Sequence, residues 1–376
     1  MTSIVDLKKS QHNRPHQFVR YLSKRHEITI ISINDWWKAK QYDSSSYYSD
    51  INSFLEGVSY HYLTDRKVSP YLQEFAFKEN SISIAKEQFD VHLNYNSLVA
   101  GYHFTKKIKT VFDIADDLIA MIANSPQLPS ILRPIGSYVG NYYQKKNINY
   151  AKKITLTTHF LAEKNKIPHT KVEIIPNGVD IKAFQYNPNA KNDLNLNGFI
   201  IGYVGVLREW VDLEPVFASL SKLNKEIRMV IVGKEGDFQH NLDLAKKYNV
   251  SERVLFTGVV PYSQVPKYIS AMDVCLIPFK TNAISSCALP LKLFEYMSCS
   301  KPVLSSNIPG VKNVAGDDVL YANNALDYCE KIRILYEDYE LRKKLGDKGR
   351  LLVETQFDWE KLVKKLEKIL IQISEN

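Results

Sequence analysis

The sequence predicts an α/β protein of two domains, each a doubly wound parallel sheet, and three observations carry that prediction. Short apolar, β-branched runs alternate with longer amphipathic segments along all 376 residues. The runs are apolar on both faces, as strands buried between two helix layers must be. They also recur too often along the chain for one twisted sheet to hold them all.

In the first half the strand candidates are 4–6, 27–33, 58–63, 91–95, 110–115, 154–158 and 172–176. In the second half they are 198–204, 228–232, 254–257, 274–279, 302–305 and 319–321. The polar stretch 187–197 (NPNAKNDLNLN) has no apolar periodicity and reads as a linker. The domains are then 1–186 and 198–355, with a C-terminal helix over 356–376 that can pack back on the N-terminal domain. Two such domains facing each other leave a central cleft lined by the C-terminal ends of both sheets, where open α/β folds bind ligands.

Composition excludes several classes. Hydrophobic residues at 45% and charged residues at 24% are an ordinary globular balance, which rules out wholesale disorder. The longest apolar runs, 199–207 and 274–279, are far shorter than the ~20 residues of a membrane span. Charges at Asp6, Lys8 and Lys9 interrupt any signal-peptide core, so a cytoplasmic chain is expected. Cys275, Cys287, Cys299 and Cys329 form no CxxC pair and have no histidine at ligand spacing, which reads as small buried residues and no metal. The formal charge of +8 favours a polyanionic partner: nucleic acid, acidic lipid or a phosphorylated substrate.

The most informative stretch is 273–306, DVCLIPFKTNAISSCALPLKLFEYMSCSKPVLSS, which reads as strand, loop, helix and strand. A helix starting at Pro290 uses proline where its missing N–H costs nothing. The free amides around Leu289 and Leu291, backed by the helix dipole, make an anion site suited to a pyrophosphate. Lys292 adds a cation, and Glu295, on the same face, could take both hydroxyls of a ribose. The same i,i+3 spacing also describes a solvated surface pair. Position at a strand's C-terminal end is what favours the functional reading.

The string LPLKLFEYMSCSKPVLSS closely resembles the donor-binding helix of the family 4 retaining glycosyltransferases, the glycosyl transferases group 1 domain of the GT-B fold. Other segments resemble that family in order: IPNGVD at 175–180, GYVGVL at 202–207, RMVIVG at 228–233, VLFTG at 254–258, YSQVPKYISAMD at 262–273, and LRKKLGDKGRLLVETQFDWEKL near the end. The resemblance implies two Rossmann-like domains, the first binding an acceptor and the second a nucleotide sugar, UDP- or GDP-linked, as substrate. It implies transfer with retention of configuration and no metal or other cofactor. Carried over, Glu295 holds the ribose, the backbone at Pro290 and Leu291 with Lys292 holds the diphosphate, and Gly205 with Val206 lies against the leaving phosphate.

The sequence departs from the family in places. Eight residues before Glu295, where a second carboxylate is usual, stands Cys287. Val206 follows Gly205 and Trp210 stands about where a lysine is common, leaving Arg208 as the substitute cation. These departures resemble a subgroup whose helix reads PLKLFEYM. In the first domain, LKKSQHNRP at 7–15 puts Lys8, Lys9, His12 and Arg14 on a basic rim suited to a phosphorylated acceptor or lipid headgroup, or simply on a solvated loop. Asp113, Asp116 and Asp117 end a strand; Asp116 either faces a sugar or caps the next helix, and Asp117 is placed on the acceptor side. The segment 133–153 interleaves Tyr138, Tyr142, Tyr143 and Tyr150 with lysines, which suits either an interfacial helix on an acidic membrane or a core helix with a basic outer face.

The expectation is therefore a retaining glycosyltransferase, with Arg208, Lys292, Glu295 and Asp116 as the residues doing the chemistry. It moves a sugar from a nucleotide diphosphate to a glycan or lipid-linked acceptor of the cell surface, at the inner face of the membrane. The rivals are a non-catalytic subunit binding nucleotide sugar or glycan, a sugar-nucleotide epimerase, and a nucleic-acid binder, for which no reading motif is present.

Overall fold

The computed structural model describes residues 1–10, 12–36, 55–76, 84, 88–125, 128–234, 236–282 and 284–375; Gln11 of the LKKSQHNRP loop and Ala283 lie outside them. The chain divides into two compact units, Met1–Pro176 with Glu360–Asn376, and Asn177–Trp359.

Unit 1 holds a parallel sheet of β1 (Thr2–Ser3), β2 (Thr29–Ser32), β3 (Ser59–Tyr62), β4 (His92–Tyr95), β5 (Thr110–Ile114), β6 (Lys153–Leu156) and β7 (Val172–Ile174), in the order β3-β2-β1-β4-β5-β6-β7. Burial on both faces explains its composition: every residue of β4 and β5 is buried. Polar side chains in such strands need partners. His92 pairs with the hydroxyls of Thr2 (2.9 Å) and Thr110 (3.1 Å), and Asn94 donates to Asn147 Oδ1 (3.0 Å).

Unit 2 holds β8 (Phe199–Val204), β9 (Ile227–Val232), β10 (Val254–Gly258), β11 (Val274–Ile277), β12 (Val303–Ser305) and β13 (Leu320–Tyr321), all parallel, in the order β10-β9-β8-β11-β12-β13. The long pairing of β8 with β9 runs from Phe199↔Ile227 to Val204↔Val232. Strand order reverses direction between β8 and β11, and loops leaving a switch point of this kind diverge and open a ligand crevice. In unit 1 the equivalent point lies between β1 and β4.

Twelve of the thirteen strand candidates overlap a strand, with ends shifted by local turn chemistry, and the first, 4–6, does not. The first strand is Thr2–Ser3 instead, because Ser3 closes a hydroxyl turn with the Val5 amide (3.0 Å) and carbonyl (2.9 Å). β6 ends at Leu156, since Thr158 caps the helix His159–Lys164. The division between units falls at Pro176/Asn177, upstream of the expected linker. Residues 187–197 carry a short helix, Ala190–Asp193, and pack on unit 2: Asn187 N donates to Ser270 Oγ (3.0 Å), and Lys191 pairs with Asp273 (2.6 Å). The C-terminal helix Trp359–Glu375 belongs to unit 1 from Glu360 onward, held by Arg25 to Glu367 and by Lys365 Nζ to the Ile174 carbonyl (2.9 Å).

Candidate functional site

Two loops leave the switch point of unit 2, one after β8 and one after β11, and backbone pairing ties them together. Val211 bridges Phe279, Asp212 N donates to Pro278 O (2.7 Å), and Lys280 N donates to Trp210 O (2.8 Å). The second loop leads into the helix Leu291–Ser298. Pro290 is its N-cap in extended conformation rather than its first residue, and no side chain caps the helix. The first-turn amides of Leu291 and Lys292 therefore stay available; proline contributes the turn and no donor.

The helix is docked by Tyr296, fully buried, whose hydroxyl accepts from the Val204 amide at the end of β8 (2.8 Å). One turn earlier on the same face stands Lys292. Its Nζ lies 5.3 Å from the centre of the Tyr203 ring and 5.2 Å from that of Phe279. Among the described residues no oxygen accepts a hydrogen bond from this ammonium and no carboxylate comes within ion-pair distance. Burial lowers its pKa to about 8, with Glu295 pulling the other way. A desolvated, unpaired cation beside free helix amides is an arrangement completed by an anion.

Gly205 follows β8 with φ +135, a conformation side chains avoid, and a Cβ there would stand 3.4 Å from Lys292 Nζ. Its carbonyl packs against Gly233, where a Cβ would come within 2.2 Å. Two glycines back to back thus bring bare backbone up to the lysine. Val206 is half-buried, its carbonyl accepting from the Tyr203 hydroxyl (2.9 Å). Arg208 is exposed on the same loop, has no partner among the described residues, and lies close enough to the Tyr203 hydroxyl to oppose the rise that burial gives its pKa.

Glu295 is half-buried and accepts from Tyr262 (3.3 Å). Burial raises its pKa to about 7, opposed by Lys292 and by the Tyr262 bond. Cys287 is buried, at the end of a short 3-10 turn.

Unit 1 rearranges the expectations. Arg14 is not on a basic rim: it is 2% exposed and makes a bidentate pair with fully buried Asp113 (2.8 and 2.7 Å), which also accepts from Thr155 (2.5 Å). A strand carboxylate sealed between helix layers requires such a counter-charge. Asp117 is the N-cap of Leu118–Ala123, accepting from Ala120 N (3.0 Å), and its other oxygen pairs with Lys164, so it is a structural cap. That leaves Asp116, an exposed residue between them. Partial desolvation raises its pKa to about 6, Arg14 opposing and Asp113 and Asp117 adding to the rise. His12 is half-buried and stacks on His16 at 5.7 Å. His16 is a structural pin, bonded to Leu7 O (2.9 Å) and Asn13. Among the described residues no three His, Cys, Asp or Glu side chains group as a metal ion needs.

Residues 187–352 match the family model of the glycosyl transferases group 1. A Methanocaldococcus jannaschii protein named as an uncharacterized glycosyltransferase is 24% identical over 60% of this chain and 58% of its own. The chain thus spans less than two thirds of the length of the first curated relatives it matches. Among solved structures, sucrose-phosphate synthase from Thermosynechococcus elongatus superposes with a TM-score of 0.76 at 17% identity, over 95% of this chain and 91% of that one. HepE of Anabaena, solved in complex with UDP-glucose, gives 0.72 at 15%, over 97% and 98%. The fold is GT-B.

Three residues of the site went unnoticed in the sequence. Nothing in the sequence singles out Tyr203 or Tyr296; Tyr296 docks the helix on β8, and Tyr203 presents its ring to Lys292. Asn177, within IPNGVD, donates through Nδ2 to Leu289 O (2.7 Å), one residue before the Pro290 cap. Its Oδ1 is buried and without a partner among the described residues. A buried unpaired acceptor costs roughly 1–3 kcal/mol, a signal that a ligand donor belongs there. Asparagine before glycine in a loop was the one sequence hint.

Proposed function

We propose that this protein is a retaining glycosyltransferase that takes a sugar from a nucleotide diphosphate, UDP- or GDP-linked, and passes it to a glycan or lipid-linked acceptor in making a cell-surface glycoconjugate. The observation that carries the reading is Lys292, buried against two aromatic rings, unpaired, and facing bare glycine backbone at a helix N-terminus. The match of 187–352 to a glycosyltransferase family and the likeness to HepE, whose structure holds UDP-glucose, support it.

In this reading the diphosphate rests on the amides of Leu291 and Lys292 and on the Lys292 ammonium, with Arg208 closing from the exposed side. Glu295, oriented by Tyr262, accepts from the two ribose hydroxyls, and Asn177 Oδ1 accepts from a further donor hydroxyl. Gly205 and Val206 offer backbone to the departing phosphate. As the bond from the anomeric carbon to the phosphate oxygen breaks, negative charge grows on that oxygen, and the fixed cations and amides lower the barrier by meeting it. The acceptor hydroxyl attacks from the same face, and its proton passes to the leaving phosphate. No carboxylate base is needed, which accommodates Cys287 in place of a second glutamate. Asp116 and His12 are the acceptor-side candidates in unit 1.

The test is transfer from labelled UDP- and GDP-sugars to a panel of glycan and lipid-linked acceptors, with chelator present, and proton NMR of the product anomer. Product with the donor's configuration is expected. Inverted product sinks the retaining mechanism. Tight donor binding with neither transfer nor hydrolysis would favour a non-catalytic subunit, the reading that Cys287 keeps open.

A further inference from the structure

The helix Arg133–Tyr150, with the 3-10 turn Ser130–Leu132 before it, presents an outer face that unit 1 does not cover. Its inner face packs closely: Gly140 lies so near the helix Leu118–Ala123 that a Cβ would stand 3.0 Å from Ile119, and Gln144, Asn147 and Ile148 are buried. On the opposite side Ile135, Tyr138 and Tyr142 recur at spacings of three and four, which places them in one stripe, and Ile131 stands in the turn that leads into it. Ile131, Ile135, Tyr138 and Tyr142 are 80%, 59%, 76% and 50% exposed. The core-helix explanation of this segment therefore fails for these four. It holds for Tyr143, half-buried against Tyr102 (5.9 Å).

Charge sets the kind of partner. From 118 to 162 there is no Asp or Glu, while Arg133, Lys145, Lys146, Lys152 and Lys153 fall within the run. Among the described residues only Lys153 of these is matched by a carboxylate in an ion pair, Glu173 at 3.2 Å. Lys145 continues the stripe beyond Tyr142, and Lys146 lies over the Tyr142 ring at 5.4 Å. Exposed Lys106 and Lys107 extend the basic border from the end of the neighbouring helix Val99–Thr105. Apolar side chains at one end, tyrosines between and lysines at the other match the depth profile of a bilayer surface: acyl boundary, headgroup level, anionic phosphate. No helix among the described residues is long and apolar enough to cross a membrane.

We propose that this face docks unit 1 on an anionic phospholipid bilayer, with Ile131, Ile135 and Tyr138 inserted at the headgroup boundary and Lys145 and Lys146 on the lipid phosphates. A protein partner would be recognised by shape and paired polar groups. A cation-bordered apolar stripe with no acidic residue needs only a negative surface.

Full-length protein is sedimented with vesicles of phosphatidylcholine alone and of phosphatidylcholine mixed equally with phosphatidylglycerol, at low and high salt. Binding is expected to the mixed vesicles only and to weaken with salt. Both Ile135→Asn/Tyr138→Ser and Lys145→Glu/Lys146→Glu should lower the partition coefficient at least about tenfold. All four residues lie on the outer side of the helix, so melting temperatures should not move. Equal binding to neutral vesicles, or retention by both variants, overturns the proposal. So does a wild-type dimer that Ile135→Asn/Tyr138→Ser dissociates without any vesicle binding, which would make the face a self-contact. Nucleotide titration of the same variants reports on unit 2 and is expected to be unchanged, so failure here is separable from failure of the donor assignment.

Discussion

Replacing Lys292 with methionine should make the protein more stable and nearly useless. The ammonium is held in a place that disfavours charge: a fall from 10.5 to about 8 corresponds to about 3 kcal/mol against the protonated form. The faces of Tyr203 and Phe279 return about 1 kcal/mol, and the side chain is not wholly shut from water. The net gain from a methionine of similar length is then about 1–2 kcal/mol at pH 7. Because the folded value lies below the unfolded one, the wild-type penalty is complete below pH 8 and fades as pH climbs from 8 towards 10.5. The variant's advantage should shrink over that window. Urea unfolding of both proteins at pH 7 and pH 9.5, with calorimetric nucleotide titration alongside, measures both effects. Loss of the phosphate cation should weaken nucleotide binding by about a hundredfold, roughly 2.7 kcal/mol. A variant that is less stable than wild type and binds nucleotide equally well would refute the reasoning, since Lys292 would then be a structural cation.

Other outcomes follow from the same geometry. Nucleotide affinity should be greatest between about pH 7 and pH 8, falling below as Glu295 takes a proton and above as Lys292 loses one; Glu295→Gln should remove the acid limb and shift the basic limb to lower pH, since Glu295 holds up the Lys292 pKa, measured by titration across pH. Gly205→Ala forces a side chain into φ +135 next to Lys292, and should cost about 1–3 kcal/mol of stability together with donor affinity, read by melting and calorimetry. Arg14→Met leaves Asp113 buried without its partner and should destabilise unit 1 by about 3–5 kcal/mol, while nucleotide affinity of the folded protein is kept. The double change Arg14→Met/Asp113→Leu should recover most of that loss in the same unfolding assay.

Twelve of the thirteen described strands were legible, most clearly in unit 2, where a parallel strand buried on both faces is continuously apolar and such runs stand out; β1, Thr2–Ser3, is too short and polar to show one. What failed was partnership over distance. Nothing near Arg14 announces that Asp113, 99 residues on, will bury it. DIADD shows three carboxylates, but only the fold tells which is paired inside (Asp113), which caps (Asp117) and which is left to solvent (Asp116). The polar stretch 187–197 looked like a linker because it is tied to the surface of unit 2 by the Asn187 amide on Ser270 and the Lys191 ammonium on Asp273, and surface binding of this kind leaves no apolar period. The helix Leu291–Ser298 was legible in the sequence, yet the surroundings of Lys292 were not: the rings of Tyr203 and Phe279 beside it and, among the described residues, no acceptor for its ammonium.

The most direct test is calorimetric titration of UDP, GDP, ADP and their sugar conjugates, in chelator, against wild type and Glu295→Gln at pH 7.5. One nucleotide series should bind wild type, and the substitution should weaken it at least tenfold, about 1.4 kcal/mol. If no nucleotide binds, or the variant binds as tightly as wild type, the donor does not rest on the Leu291–Ser298 helix and the central claim is wrong.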